Sequence, residues 1–312
     1  MERRTGLAAH RGGLRRLGVL IAATALALVA AVPAFAQDEG GSIEPRIVGG
    51  DSVPNGKYSF MTSLQRDFPG DGTSAKRHFC GATLIDRSHV LTAAHCVDFF
   101  GGQISVNKMR VVVGITVLGT GQGQARSVDG LGDIAIHPRY TGAQSRRYDA
   151  AVIELSRPIR GINPIKLLTP SNNRPENAGN KATITGWGNT KAQPANGGNG
   201  GQNFPKRMRE GRPTVVSDRA GKRAYGGEYA PKLMIAARKG NVDTCQGDSG
   251  GPMFDRVGDT RRQFGITSFG SGCAAKNFPG VYTEVNNPAI SRFIKRESFS
   301  LLFYDAFSTS SE

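Results

Sequence analysis

Cysteine is scarce in this sequence, with four in 312 residues, and no two of them are spaced as Cys-x-x-Cys. This content excludes a small scaffold held by many disulfides, and the spacing argues against a zinc ribbon or a thioredoxin-like redox motif. Acidic residues number 25 against 40 basic ones, which gives a formal net charge of +15. Hydrophobic residues make up 38%, so collagen-like and intrinsically disordered chains are excluded as well.

Only one stretch is long and apolar, and it lies close to the N-terminus. Gly18–Val32 carries no charge, follows five arginines within the first 16 residues, and is followed by Ala34-Phe35-Ala36. This order predicts a secretory signal peptide over residues 1–36 that is cut after Ala36. The alternative is a membrane anchor, but the run is short for a span and ends at Pro33. We therefore expect export, to the extracellular space or the periplasm, with no stable membrane insertion after cleavage.

The excess of basic residues raises nucleic acid as a partner. Four of them fall close together, at Lys206, Arg207, Arg209 and Arg212. Nucleic-acid recognition needs more than charge, such as interleaved aromatic residues or a known module, and neither is present. A solvated basic loop is the preferred interpretation, with no specific nucleic-acid partner.

Short runs rich in Val, Ile and Thr recur along the chain and are separated by Gly, Pro, Asn and Asp. The runs that predict strands are His89–Thr92, Met109–Leu118, Ala150–Leu155, Ala182–Trp187, Phe264–Phe269 and Val281–Val285. Near the C-terminus, Pro288 can open a helix that places Ile290, Phe293 and Ile294 on one face. The pattern predicts a β-sandwich or barrel with one short helix.

The segment Gly247-Asp248-Ser249-Gly250-Gly251 matches Gly-x-Ser-x-Gly, the turn that carries the nucleophile in α/β-hydrolases. That fold requires a histidine after the serine, and none of the five follows Ser249: they are His10, His78, His89, His95 and His137. An α/β-hydrolase is therefore excluded. A histidine that activates Ser249 must come earlier in the chain.

Two other residues have a local context that suits catalysis. His95 ends the apolar run Thr92–Cys96, and Asp149 precedes the apolar run that starts at Ala150. Each alone is more often structural, as a buried histidine or a strand-capping carboxylate. Together with Ser249 in an exported chain they favour nucleophilic catalysis.

Several motifs occur together in one order along the chain. They are Ile47-Val48-Gly49-Gly50, Leu91–Cys96, Asp149, Gly186-Trp187-Gly188, Cys245–Pro252, Ser268-Phe269-Gly270 and Pro279–Tyr282. In these motifs the sequence resembles the trypsin-like (chymotrypsin-fold, S1 family) serine proteases, from Ile47 to about Ile294. The resemblance implies an all-β fold of two antiparallel six-stranded β-barrels, with the active site between them and a short C-terminal helix. It also implies a protease domain over 47–298, after a 37–46 propeptide and before a 299–312 tail.

The resemblance assigns a role to each matching residue. Ser249 is implied as the nucleophile, His95 as its base and Asp149 as the residue that orients the base. The backbone N–H groups of Gly247 and Ser249 are implied as the oxyanion hole. Substrate-binding positions are implied at Asp243, Gln246, Ser268, Gly270 and Gly280. A carboxylate at Asp243 implies cleavage after Arg or Lys.

The same resemblance implies a mode of activation. A cut between Arg46 and Ile47 would free an α-amino group that pairs with the buried carboxylate of Asp248. Arg46 is itself a basic residue, so self-activation is expected to be feasible.

Four cysteines allow three pairings, and the resemblance selects Cys80–Cys96 and Cys245–Cys273. Many relatives carry a further disulfide, for which this chain has Gly221 and Ala236. The segment 114–129 lacks the clustered acids of the family's calcium loop, so no metal is expected there, and no cofactor elsewhere.

These inferences predict a secreted serine endopeptidase that is made as a zymogen and acts as a monomer. Its partners would be polypeptides with Arg or Lys before the cut and, as a second class, a proteinaceous inhibitor. Two other hypotheses remain: a non-catalytic binding protein on the same fold, and a binder of polyanions.

Overall fold

The computed structural model describes residues 47–66, 77–98, 109–127, 133–142, 145–172, 174–196 and 200–299. The predicted signal peptide, the propeptide with Arg46 and the tail beyond Phe299 lie outside the described residues. No helix in the described part of the chain is long and apolar enough to cross a membrane.

Strands dominate the described residues. The first eight are β1 (Asp51–Ser52), β2 (Met61–Arg66), β3 (His78–Leu84), β4 (His89–Thr92), β5 (Met109–Val113), β6 (Gln124–Arg126), β7 (Ile134–Ile136) and β8 (Ala151–Glu154). The next eight are β9 (Lys166–Leu167), β10 (Thr183–Gly186), β11 (Arg209–Gly211), β12 (Thr214–Val216), β13 (Met234–Arg238), β14 (Pro252–Val257), β15 (Thr260–Phe269) and β16 (Gly280–Glu284).

The strands form two curled sheets. The first has the order β6-β5-β2-β3-β4-β8-β7, and every pairing in it is antiparallel. The second runs β1-β11-β10-β14-β15-β16-β13-β12, with β9 added in parallel along β15. The implied all-β architecture of two antiparallel half-barrels is thereby confirmed. The described residues give seven and nine strands rather than six each, because two- and three-residue pairings such as β1–β11 extend the sheets.

Predicted strands match observed ones closely where both faces are buried. His89–Thr92 forms β4 with the predicted bounds, and all four of its residues are buried. The strand predicted over Met109–Leu118 is shorter in the structure. It ends at Val113, because the next residue, Gly114, has a φ of 82°. A positive φ is incompatible with a continuing strand, so this glycine turns the chain.

Aromatic packing joins the two sheets. Phe254 of β14 meets Tyr58 and Phe60 edge-on, with ring centroids 5.1 and 5.5 Å apart. Trp187 is fully buried, and its Nε1 donates to the carbonyl of Thr116 across the junction. Edge-to-face ring contacts and a hydrogen-bonded indole N–H both stabilise close packing in a buried core. The junction between the two sheets is therefore closely packed.

Two α-helices of the described residues lie outside the sheets. The predicted C-terminal helix is α2 (Pro288–Phe299), and its residues Ile290, Phe293 and Ile294 are buried in the core of the first sheet. Asn287 Oδ1 accepts from the Ala289 N–H, which satisfies a free donor of the first turn. The other helix, α1 (Asp218–Tyr225), begins after Ser217, whose side chain accepts from the Ala220 N–H.

A tyrosine ring fills the space beside Gly221. A Cβ at Gly221 of α1 would lie 2.6 Å from the ring of Tyr229, so no larger residue fits there. The Tyr229 hydroxyl lies 2.8 Å from Asp218 Oδ1 and 2.9 Å from the Met234 carbonyl. Tyr229 packs with Met234 and Ala236 in a small buried cluster that holds α1 on β13. Buried aromatic area and hydrogen bonding thus connect the two elements where a covalent bond is absent.

Candidate active site

Ser249 lies on a turn that is fixed from three sides. The Cys245–Cys273 disulfide anchors the first part of this turn, and the Gly250 N–H donates to the backbone carbonyl of Thr267 in β15. The Gly81 N–H, from β3 of the other sheet, donates to the Ser249 carbonyl at 2.7 Å. Gly250 has a φ of 76°, and a Cβ there would lie 2.4 Å from the Gly81 carbonyl oxygen. Only glycine allows this approach, so the turn is wedged between the two sheets.

Strand pairing brings His95 and Asp149 together. Thr92 at the end of β4 is paired with Ala151 at the start of β8. His95 follows β4 on the 3₁₀ turn Ala94–Cys96, and Asp149 lies just before β8. Because the strands are antiparallel, the residues after β4 and those before β8 meet at one edge.

The two side chains make direct contact. His95 Nδ1 lies 2.7 Å from Asp149 Oδ2, and the His95 backbone N–H donates to Asp149 Oδ1 at 2.9 Å. Ser268 Oγ also donates to Asp149 Oδ2, at 2.5 Å. Since a carboxylate accepts, the proton in a neutral ring is on Nδ1, and Nε2 is left as the basic nitrogen.

Asp149 is completely buried, and burial alone raises the pKa of a carboxyl group. The charge of His95 and the hydrogen bonds from His95 and Ser268 outweigh burial, so the pKa of Asp149 falls below its ordinary value. The group is therefore a carboxylate at neutral pH, able to stabilise a positive charge on the imidazole.

A cavity of about 290 Å³ lies in front of Ser249 and His95. Four of the predicted substrate-binding residues line it: Gln246, Ser268, Gly270 and Gly280. The Ser268 hydroxyl, however, is buried on Asp149. Ser268 therefore faces the cavity through its backbone rather than its side chain.

Asp243 lies behind one cavity wall and is almost fully buried. A Cβ on Gly280 would be 2.5 Å from Asp243 Oδ1, so a glycine there is what opens the route to the carboxylate. The backbone N–H groups of Thr244 and Ala274 donate to its two oxygens at 2.9 and 2.8 Å. Burial raises the pKa of Asp243 to about 7, against these two hydrogen bonds. A cationic group that reached it would stabilise its charged form.

Asp248 is a second buried carboxylate, and it directly precedes Ser249. It accepts from the N–H groups of Gly188, at 2.8 Å, and Cys245, at 3.0 Å. A Cβ on Gly186 or Gly188 would collide with its oxygens, which accounts for the glycines on both sides of Trp187. Burial raises the pKa of Asp248 to about 7, and no ion pair of the described residues includes it.

Ile47 is fully buried in the core of the second sheet. Its neighbour Val48 bridges to Asp243, whose N–H donates to the Val48 carbonyl at 3.1 Å. Ile47 has a φ of 31°, which is unusual for a β-branched residue. The segment that follows Arg46 is thus inserted into the second sheet beside the buried Asp243.

Comparison with known proteins agrees with this geometry. The family model described as Trypsin matches residues 47–291. The chain belongs to the trypsin family. It is 33% identical to a trypsin-like protease of Streptomyces glaucescens, over 92% of this chain and 95% of that protein. It is 37% identical to a trypsin of Saccharopolyspora erythraea (77% and 93%) and 32% identical to trypsin II-P29 of Gallus gallus (80% and 88%). This member of the trypsin family is a serine endopeptidase and acts on polypeptides.

Both disulfides of this trypsin-family chain are present, Cys80–Cys96 and Cys245–Cys273, with S–S distances of 2.05 and 2.07 Å. In the described segments, Cys80, His95 and Cys96 are the only trio of potential metal ligands within 4.8 Å of one another. Both sulfur atoms of that trio are in the disulfide, so they are not thiolates. A metal is not held there.

His78 is a functional candidate that sequence reasoning missed. Its Nε2 donates to the Gly247 carbonyl at 2.9 Å, and its Nδ1 accepts from Ser63 Oγ at 2.8 Å. Burial lowers the pKa of His78 to about 4, so the ring is neutral at working pH. The hydrogen bond fixes the peptide plane on one side of Gly247, whose φ of 95° requires glycine. The sequence offered only an isolated histidine, without a motif.

We predict that His78→Ala lowers kcat about tenfold with little change in KM, because the Gly247 segment loses its orientation. Complete loss of an oxyanion donor costs about 3 kcal/mol, so a misoriented one costs less. Steady-state kinetics of the activated enzyme measures both constants. Ser63→Ala, which removes the partner of His78 Nδ1 and an acceptor of Gln65 Nε2, should have the smaller effect. A kcat within twofold of the parent in His78→Ala would contradict this role.

Proposed function

We propose that this endopeptidase is secreted as a zymogen, is activated by cleavage between Arg46 and Ile47, and cuts peptide bonds after Arg or Lys. The observation that carries the proposal is the set of contacts around one cavity. His95 is hydrogen-bonded to the buried carboxylate of Asp149, and His95 and Ser249 line the same cavity. Asp243 lies directly behind Gly280, which is part of the cavity wall.

In the proposed mechanism, Ser249 Oγ attacks the carbonyl carbon of the peptide bond while His95 Nε2 takes its proton. Asp149 holds the imidazole in the required tautomer and stabilises the imidazolium. His95 then gives the proton to the leaving amine, and an acyl-enzyme ester remains on Ser249. Water, deprotonated by His95, hydrolyses that ester and regenerates the enzyme.

The backbone N–H groups of Gly247 and Ser249 would stabilise the negative oxygen of each tetrahedral intermediate. The fixed turn supports this role, because donors that are already oriented cost no reorganisation when charge develops. A Cβ at residue 247 would lie 3.1 Å from the Gly188 Cα, which is closer than ordinary van der Waals contact.

Specificity would come from Asp243. A Lys or Arg side chain that entered past Gly270 and Gly280 would bring a cation to this carboxylate and ionise it. A neutral side chain would leave the carboxyl group buried without compensation. Cleavage after Arg or Lys is therefore favoured by electrostatics as well as by fit.

Activation would supply the cation that Asp248 lacks. Cleavage at Arg46 turns the Ile47 nitrogen into an ammonium, and the position of Ile47 in the second-sheet core supports its insertion. Cleavage also removes the constraint on φ at Ile47, because a terminal residue has no preceding carbonyl. A buried carboxylate is stabilised strongly by a paired charge, so the cut would stabilise the Ser249 turn in the arrangement described above.

Secretion is supported by the sequence of residues 1–36 and by the two disulfides. Disulfides persist in oxidising compartments and are rare in the cytosol.

The test is hydrolysis of four chromogenic peptides that end in Arg, Lys, Phe or Ala, by protein cut before Ile47. We expect turnover of the Arg and Lys peptides only, abolished in Ser249→Ala. Asp243→Asn should lower kcat/KM for the Arg peptide about 100-fold, because a buried charge-assisted hydrogen bond is lost. Labelling of Ser249 by a fluorophosphonate, which needs no basic side chain, is the control for general damage. Turnover of Phe or Ala peptides would overturn the assignment of Asp243, and no turnover at all would overturn the mechanism.

A second prediction concerns pH. In uncut protein the raised pKa of Asp248 means that the folded state keeps a proton which the unfolded chain loses above its ordinary pKa of 3.8. The uncut form therefore loses stability as pH rises from about 4 to about 7. In cut protein the Ile47 ammonium pairs with the carboxylate and removes this loss. The Tm difference between cut and uncut forms should widen by at least about 4 °C from about pH 4.5 to about pH 7.5.

Thermal unfolding of both forms, each with Ser249→Ala to prevent self-digestion, measures that difference. Asp243 titrates in both forms, so its contribution cancels. Asp248→Asn should make the difference independent of pH. A constant difference in the parent pair would contradict the proposed ion pair.

A further inference from the structure

Residues 300–312 follow the last described residue, Phe299, at the end of α2. We propose that this C-terminal tail binds in a groove beside the turn between β3 and β4, with its apolar residues packed against the groove wall. The inference stands apart from the proposed function, because the groove and the substrate cavity have no lining residue in common.

The groove has a volume of about 1280 Å³ and lies between two parts of the chain. One wall is the turn that joins β3 to β4, from Ile85 to Ser88, and the other is the segment 158–164 between β8 and β9. Its volume exceeds the roughly 300–1,000 Å³ of most small-molecule pockets. A stretch of polypeptide therefore matches its size better than a small ligand does.

Hydrogen bonds fix the two walls of the groove against each other. The Ile159 N–H in one wall donates to the Arg87 carbonyl in the other at 2.7 Å. The His89 Nδ1 donates to the Asp86 carboxylate at 2.9 Å, which holds the shape of the turn. The groove is thus preformed, so binding a peptide there requires little ordering of the walls.

The lining of the groove combines apolar surface with cations. Its half-buried or exposed apolar side chains are Ile85, Pro158, Ile162 and Pro164. Its cations, which are exposed and form no ion pair with another described residue, are Arg87, Arg160 and Lys166. The carboxylate of Asp86 also lies in this lining, but it is already bonded to His89. An apolar peptide that carries carboxylates would be complementary to such a surface.

The tail has this complementary composition. It contains no Lys or Arg, and its acidic residues are Asp305 and Glu312. Its large apolar residues are Leu301, Leu302, Phe303, Tyr304 and Phe307. Contiguous apolar surface of this kind is rarely left exposed on soluble proteins. Packing of residues 301–307 in the groove would remove it from water.

The path of the chain leads into the groove. Ser298, in the last turn of α2, is itself part of the groove lining. Phe293 and Ile294 hold the same helix in the core of the first sheet, so the point from which the tail departs is fixed. Residues 301–307 can span up to about 23 Å when extended. Because the tail starts at the groove, its effective concentration there is high, which favours it over the tail of a second copy.

Thermal unfolding tests whether the tail stabilises the protein through this groove. The exported protein is compared with and without residues 300–312, both with Ser249→Ala to prevent self-digestion. We expect loss of the tail to lower the Tm by at least about 4 °C. Arg160→Glu should lower the Tm only when the tail is present, because it removes a cation that faces the tail.

Arg238→Glu is the matched control, an equal change of charge at an exposed residue of β13 on the other sheet. It should shift the Tm of both proteins equally. A Tm that is unchanged or raised by removal of the tail would overturn the inference. An effect of Arg160→Glu that is the same with and without the tail would overturn it as well.

A cross-link tests the position of the tail directly. All four native cysteines are in disulfides, so a short bis-maleimide can join only two introduced thiols. Asn163→Cys in the groove is combined with Ala306→Cys in the tail. The control combines Ala306→Cys with Lys222→Cys, on the exposed surface of α1.

Mass spectrometry of the digested protein measures both yields. We expect a link within one molecule between residues 163 and 306, at least about tenfold more than between 222 and 306. Equal yields, or no link to residue 163, would overturn the inference. A link that forms only between two molecules would overturn it too, because the groove would then hold the tail of a second copy.

Discussion

The arrangement around Ser249 depends on a carboxylate buried without a cation among the described residues. Asp248 lies in a space that two glycines leave open, with only two backbone N–H groups there to offset its desolvation. Such a group is tolerated as a neutral acid or as half of an ion pair. Because Asp248 directly precedes Ser249, its charge state is coupled to the turn that carries the Ser249 hydroxyl and the Gly247 N–H. A neutral acid and a paired carboxylate would leave this turn with different stabilities.

The other contacts of the candidate active site do not depend on the charge of Asp248. The contact of His95 with Asp149 follows from the β4–β8 pairing, and the Cys80–Cys96 disulfide closes the turn beside His95. The Cys245–Cys273 disulfide and the Gly81 hydrogen bond hold the other half. In the proposed zymogen, His95 and Asp149 would already be in contact, while the turn of Ser249 would be fully stabilised only when a cation reaches Asp248. This division accounts for how one cut far along the sequence could control chemistry at Ser249.

Elements with a clear local pattern could be predicted from the sequence. The apolar run His89–Thr92 predicts strand β4 with its bounds, and Pro288 with the spacing of Ile290, Phe293 and Ile294 predicts the start of the C-terminal helix. The contact of His78 with Gly247 could not be predicted, because it joins two residues that are far apart along the chain. Helix α1 was also missed: Ser217-Asp218 is a fair N-cap signal, but eight residues are too few to show a period. The packing of the Tyr229 ring on Gly221 is likewise visible only in the folded chain.

The most direct measurement is the rate at which a fluorophosphonate labels the protein, followed by intact mass and by mapping of the modified residue. The reagent needs an activated serine and an oxyanion hole but no basic side chain, so it reports the Ser249 turn independently of Asp243. The account predicts labelling of Ser249 at least about 100-fold faster in protein cut before Ile47 than in the uncuttable variant Arg46→Gln. Equal rates in the two forms, or a label on another residue, would contradict it.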